Sequence, residues 1–308
     1  MEVSRLQRKV IQLKEKEKAL ILAHNYQRPE IQEIADFVGD SLQLCFAAIR
    51  AEDAKYIVFC GVDFMAETAS ILNPDKPVVI PDVEAKCPMV AQLPAKKVVE
   101  AKKKYPDAEV MLYINTLAEA KAEADVICTS SNAFRIASKL DSTKVLFGPD
   151  RNLAWYTAKR CSNKEIIPIP ENGYCIVHKL FQVEDILLLK KSHPDAEVLV
   201  HPECDPEVQQ IADFIGSTEQ MRRRCFESHS KKFIITTEIG LIDRLKRELP
   251  GKEYIPAFEG AICYNMKRHT LEKVYHALES KKTVVKVPED IAKKARLAIE
   301  RMMGLSKQ

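Results

Sequence analysis

The 308-residue sequence predicts an α/β protein built from three pseudo-threefold-related α/β/α domains, each with a short parallel sheet. Three observations carry that expectation. Four separate patterns recur at spacings of 88 or 89 residues. Within each period, short β-branched runs alternate with segments of helical periodicity, the signature of βα repeats around a parallel sheet. No long Gly- or Ser-rich linker separates the periods, so the three units should pack tightly.

Taken in order, a helix around Arg5–Lys16 precedes the first strand, and the first register comprises the strand starts "ILAHNY", "MLYINT" and "VLVHPE". Their polar ends His24, Tyr113 and His201 step by 89 and 88 residues. The second register is "IADFVGDS", "EADVICTSS" and "IADFIGST"; the third is "YIVFCGVD", "KVLFGPDR" and "KFIITTEIG". The fourth ends in Cys87, Cys175 and Cys263, separated by 88 and 88 residues. Ala95–Tyr105, Val183–His193 and Leu271–Ser280 read as equivalent helices closing each unit. Pro106 and Pro194 follow two of them, as a helix stop requires. The phrase PDAEV occurs at both prolines as the hinge into the next strand. The expected domains are therefore residues 1–106, 107–194 and 195–284, with a last helix (285–308) packing on the first of them.

Composition is that of an ordinary globular protein: 46% hydrophobic, 30% charged, and a net charge of +3 from 47 basic and 44 acidic residues. That balance gives no call for nucleic acid, and Lys102–Lys104 and Arg222–Arg224 read as solvated helix faces. No signal peptide and no run of about 20 apolar residues is present, so the expectation is a cytoplasmic protein without membrane contact. Nine cysteines in a reducing compartment are not expected to form structural disulfides.

Parallel sheets bind ligands beyond the carboxyl ends of their strands, and the unusual polar residues fall there. After the first strands come His24-Asn25-Tyr26, Tyr113-Ile114-Asn115 and His201-Pro202-Glu203; after the second come Asp40-Ser41, Ser130-Ser131 and Ser217-Thr218, each expected to open a helix. Such hydroxyls suit a phosphate or carboxylate, and read equally as ordinary N-caps. Cys45, Cys60, Cys128, Cys161 and Cys225 have apolar flanks and read as core fillers, with Cys204, next to Glu203, intermediate. Cys87, Cys175 and Cys263 share one register. Three thiolates around an axis would hold a soft metal or an iron–sulfur cluster with one position open, a Lewis acid for substrate oxygen or nitrogen. His24, Tyr26, Tyr113, His201 and Glu203 would supply acid and base groups around it. Two other classes compete. A non-catalytic α/β binding protein leaves the cysteine register unexplained, and a zinc-dependent lyase or aldolase acting on a small phosphorylated substrate would have to recruit His24 and His201.

The motifs "AHNYQ" at Ala23, "GDSL" at Gly39, "YINT" at Tyr113, "HPEC" at His201, "GST" at Gly216, "TTEIG" at Thr236 and "CYNMKRHTL" at Cys263 resemble those of the quinolinate synthase family over essentially the whole chain. The resemblance implies a transferase of NAD biosynthesis that condenses iminoaspartate (iminosuccinate) with dihydroxyacetone phosphate to quinolinate, releasing phosphate and water. It implies a [4Fe–4S] cluster on Cys87, Cys175 and Cys263 with one open iron, and an L-aspartate oxidase or aspartate dehydrogenase as the source of the imine. Carried over by motif, Glu203 is the main acid/base group, assisted by Tyr26 and His24. Tyr113, Asn115, Ser130 and His201 hold substrate carboxylates, and Ser41, His178 and Thr218 are nearby anion donors. The sequence departs from some relatives in lacking a Cys-x-x-Cys-x-x-Cys run, so no disulfide switch of that kind is expected.

Overall fold

The computed structural model describes residues 4–50 and 53–306; the outermost residues of the expected first domain and last helix, and residues 51 and 52, lie outside them. Three four-stranded parallel sheets alternate with helices. The first contains β1 (Ala19–His24), β2 (Phe37–Gly39), β3 (Tyr56–Cys60) and β4 (Val78–Val79). The second contains β5 (Glu109–Tyr113), β6 (Val126–Cys128), β7 (Lys144–Gly148) and β8 (Glu165–Pro168). The third contains β9 (Glu197–Val200), β10 (Phe214–Ile215), β11 (Lys232–Thr236) and β12 (Glu253–Pro256). Each has the order second–first–third–fourth, with every pairing parallel. The chain reverses direction across the sheet between the first and third strands, and the crevice at their carboxyl ends is where such sheets bind ligands.

The repeated "AD" explains why each sheet closes the same way. Asp36, Asp125 and Asp213 each accept the N–H of a first-strand residue, Ile21, Val110 and Val198, at 2.7, 2.7 and 2.8 Å. Their own N–H groups donate to the carbonyls of those residues at 2.9, 2.9 and 3.0 Å. Both partners of the incoming strand are thus satisfied by one residue, which fixes its register. PDAEV is scaffold of the same kind: Asp107 pairs with Lys144 at 2.8 Å and Asp195 with Lys232 at 3.4 Å.

The domain limits differ from the sequence expectation. Contacts divide the chain into two compact units, one holding the described residues up to Cys87 with Cys263–Glu289, the other Pro88–Ile262 with the described residues from Asp290. Each closing helix covers the sheet that follows it in the repeat cycle rather than the one before it. Leu93, Lys97 and Ala101 line a cavity with Ile167 and Ile169 of the second repeat, and Lys102 donates to the Glu123 carbonyl at 3.0 Å. Asp185, Leu188 and Leu189 likewise face Ile255 and Pro256 of the third repeat. Leu271–Ser280 buries Val274, Ala277 and Leu278 in the core of the first sheet, and Tyr56 donates to the Leu278 carbonyl at 3.1 Å. The chain then adds Val284 antiparallel to Val79. A limit at residue 106 or 194 would separate each helix from the sheet that buries its apolar stripe.

The last helix, Glu289–Ser306, is corrected too: it packs on the second repeat, not the first. Arg301 pairs with Glu109 at 2.8 Å, Lys139 donates to the Leu305 carbonyl at 2.8 Å, and Asn132 donates to Ser306 at 2.9 Å. Among the described residues no helix is long and apolar enough to cross a membrane.

Candidate active site

The predicted site residues fall into two groups, one in each unit. In the first unit β1 ends at His24, whose Nδ1 accepts the Tyr26 N–H at 3.2 Å while the two rings meet edge-on at 4.6 Å. The same device recurs one sheet later in "HPEC", where His201 Nδ1 accepts the Glu203 N–H at 3.3 Å. A buried ring whose Nδ1 accepts a backbone N–H keeps Nε2 as its donating nitrogen. The loops themselves are gathered from behind. Gln32 Nε2 donates to the Asn25 and Gln27 carbonyls, both at 3.0 Å, and Gln209 Nε2 to those of Pro202 and Cys204 at 2.9 and 2.8 Å. In the middle repeat Lys121, wholly buried, takes that position and donates to the Thr116 carbonyl.

The nine cysteines divide as their register suggests. Cys45, Cys60, Cys128, Cys161, Cys204 and Cys225 are buried, whereas Cys87, Cys175 and Cys263 are only half-buried, and none forms a disulfide. Burial pushes the thiols of Cys60, Cys128, Cys161, Cys204 and Cys225 upward, so they stay protonated and inert. The three register cysteines are each anchored two residues upstream: the Ala85, Gly173 and Ala261 carbonyls accept N–H groups of Asp63, Arg151 and Ile239 at 2.9, 2.9 and 3.1 Å. Asp63 also accepts the Cys87 N–H at 3.0 Å, and Asp150 accepts that of Cys175. Sequence reasoning missed Asp63 and Asp150; their signal was a carboxylate just after the third strand of each repeat. In the first unit, the segment after Cys263 is tied to both strand ends. Lys267 donates to the Tyr26 carbonyl at 2.6 Å, and His269 Nε2 lies 2.7 Å from the Gly61 carbonyl.

Around Glu203, in the second unit, the third sheet meets the loops of the second. Glu203 is 4% exposed, and its Oε2 lies 2.7 Å from His178 Nδ1 and 3.8 Å from His201 Nδ1. Tyr113 hydrogen-bonds the carboxylate, and Asn115 Nδ2 approaches Oε1 at 3.5 Å. The two imidazoles stack at 4.5 Å, and His178 Nε2 lies 2.9 Å from Thr237 Oγ1. Asn152 donates to the Glu203 carbonyl at 2.9 Å. Burial acts to raise the Glu203 carboxyl, but the adjacent His178 outweighs it and holds the group below the usual carboxylate range. Asp150, wholly buried, moves the opposite way because of its burial and then the Glu203 charge. Its Oδ2 and the Asn115 Oδ1 have no hydrogen-bond partner among the described residues. The two carboxyls are thus pushed in opposite directions, the kind of separation that assigns acid and base roles.

His178 stands out by breaking the register. The one-turn helices Val90–Gln92, His178–Leu180 and Met266–Arg268 are equivalent, and the other two begin with apolar Val90 and Met266. Cys175 Sγ, His178 and Glu203 accordingly offer ligand atoms within 4.8 Å of one another. Thr237 was also missed by sequence reasoning; its signal was the pair of threonines ending β11.

The hydroxyl residues are placed less uniformly. Ser41 and Thr218 are the first residues of the helices Ser41–Ile49 and Thr218–Glu227, whose caps are Asp40 and Ser217, in capping boxes with Gln43 and Gln220. Ser130 lies in a turn where Thr129 and Ser131 share a hydroxyl bond at 2.7 Å, and the helix opens only at Ala133.

Comparison with known proteins agrees with this geometry. The family described as quinolinate synthetase A protein matches residues 8–304. The chain is 57% identical over 304 residues to the quinolinate synthase of Methanothermobacter thermautotrophicus, covering 99% of each chain. It is 53% identical over 304 residues to that of Pyrococcus furiosus, again covering 99% of each. With the Thermotoga maritima quinolinate synthase it shares 49% over 296 residues, 96% of this chain and 98% of the relative.

Proposed function

The chain belongs to the quinolinate synthase family, and on that premise we propose that it is an enzyme of NAD biosynthesis that condenses iminoaspartate with dihydroxyacetone phosphate to quinolinate. The observation that carries the chemistry is the Glu203 constellation: an ionised, buried carboxylate beside His178, His201, Tyr113 and Asn115, with Cys175 alongside.

Cys87, Cys175 and Cys263 are the residues that would hold a [4Fe–4S] cluster. The donor set fits, because these three of the nine cysteines are half-buried and anchored alike at turns after the fourth strands. A cluster so held supplies an open iron as a Lewis acid for substrate oxygen or nitrogen. A zinc-dependent lyase would use the Cys175, His178 and Glu203 trio but would leave the matching anchors of Cys87 and Cys263 without a purpose.

The chain's own residues then divide the work. Glu203 Oε2 accepts the proton lost from substrate carbon. His178 Nδ1, 2.7 Å from Oε2, holds and orients the carboxylate for that transfer. Thr237 hydrogen-bonds His178 Nε2 and so orients the ring. The Nε2–H groups of His201 and His24, with Asn115, Ser41, Ser130 and Thr218, donate to substrate carboxylate and phosphate oxygens. Tyr113 holds Glu203, and Tyr26 stands beside His24 for the later proton transfers of isomerisation and ring closure. Iminoaspartate is short-lived in water, so an L-aspartate oxidase or aspartate dehydrogenase is the reaction class that supplies it.

The test is anaerobic reconstitution with iron and sulfide, followed by turnover with both substrates. About four irons per chain and quinolinate formation are expected. Protein that takes up iron and sulfide yet forms no quinolinate would overturn the reading.

A further inference from the structure

Cys175, His178 and Glu203 form a ligand set that does not need the other two register cysteines. Three features support it. His178 follows Cys175 by three residues, pairing thiolate with imidazole as tetrahedral zinc sites do, and this occurs after the register cysteine of the second repeat alone, where the others carry Val90 and Met266. Glu203 brings a carboxylate oxygen to 2.7 Å from His178 Nδ1, so the two atoms converge on one small volume. The remaining ring nitrogen, Nε2, is oriented by Thr237 at 2.9 Å, the kind of outer partner that fixes the tautomer of a metal-binding histidine. The three ligand atoms lie within 4.8 Å of one another. A shift of about an ångström in side chains would bring sulfur, nitrogen and oxygen to zinc distances of about 2.0 to 2.3 Å.

We propose that the cluster-free chain binds one divalent cation of the zinc class at Cys175 Sγ, His178 Nδ1 and Glu203, with water in the fourth position. Binding displaces the thiol proton of Cys175 and the proton between His178 and Glu203 to solvent as the thiolate–metal bond forms. Thiolate, imidazole and carboxylate together select zinc, cobalt(II) or iron(II) over magnesium or calcium. Cys175 cannot serve this ion and a cluster at once. Zinc occupancy therefore excludes cluster assembly, and the chain must receive iron and sulfide before zinc, or be stripped of zinc first.

The inference does not depend on the condensation reaction. Cluster-free protein under reductant is titrated with zinc against a chromophoric chelator, and separately with cobalt(II). One ion per chain is expected, with a thiolate-to-cobalt charge-transfer band. C87A/C263A protein, which could not carry the proposed cluster, should bind zinc as wild type does. H178A and E203Q should each bind at least about tenfold more weakly, and C175S should lack the charge-transfer band. Zinc-loaded wild type should resist reconstitution until a chelator is added. No stoichiometric binding to wild type, or affinity lost in C87A/C263A but kept in H178A and E203Q, overturns the proposal. Failure of wild type to take up iron and sulfide even without zinc would instead count against the cluster reading, so the two remain separable.

Discussion

His269 makes a test of how the loop after Cys263 is held. The ring is wholly buried, with Nε2 2.7 Å from the Gly61 carbonyl at the end of β3. Burial is the largest influence and lowers its pKa from 6.5 to about 4; the Gly61 carbonyl and Asp82 oppose that, while Lys273 and Arg268 reinforce it. Asp82 is itself engaged by Lys273 at 2.6 Å and Arg268 at 3.5 Å. A histidine whose folded pKa is depressed binds more protons in the unfolded chain, so its contribution is fully present above pH 6.5 and fades as pH falls toward about 4. Integrating that uptake from about pH 7 down to about pH 5 gives a loss of about 2 kcal/mol from this one group. The assay is urea denaturation of wild type and His269→Gln across that range, with linear extrapolation. Glutamine can keep the donor to the Gly61 carbonyl and cannot titrate. The variant should lose about 2 kcal/mol less than wild type over the interval. Equal losses in the two proteins would show that His269 is not held neutral by burial, and would refute the reasoning.

Other outcomes follow from the site. Glu203→Gln should fold and retain iron while turnover falls about 10²- to 10⁴-fold, the usual worth of a positioned acid–base group; near-normal quinolinate formation removes Glu203 from the mechanism. Cys175→Ala should lose both iron and activity, and Cys225→Ala, buried in the third sheet's core, should keep both; iron and activity retained without Cys175 would overturn its assignment as a ligand. In Gly173→Ala, the new methyl would collide with the Pro149 carbonyl oxygen. A cost of about 1 to 3 kcal/mol and weakened iron retention are expected by thermal denaturation and iron analysis, and unchanged values would mean that the loop before Cys175 gives way freely.

Much of this was legible in the sequence because the repeat is physically redundant. The Asp36, Asp125 and Asp213 staples and the anchors before the cysteines depend on local chain geometry, so each copy writes the same letters at the same interval. Strand existence, sheet type and the separation of three half-buried cysteines from six buried ones follow from that register. Only the tertiary structure decided which sheet each closing helix covers, because helical periodicity reveals an apolar stripe but not the surface that buries it. For the same reason the sequence points the final helix at the first repeat, whereas it lies on the second, where Glu109 meets Arg301. His178, Asp150 and Thr237 likewise gain their roles from residues distant in sequence. Glu203 is pushed down and Asp150 up because folding buries the two carboxyls near each other with the His178 and His201 imidazoles beside Glu203. The sequence by itself determined the repeating frame and the residues that break it, through local hydrogen bonds and periodicity. Tertiary structure decided which way the buried carboxyls are pushed, because charge in a buried site depends on neighbours that the chain brings together only when folded.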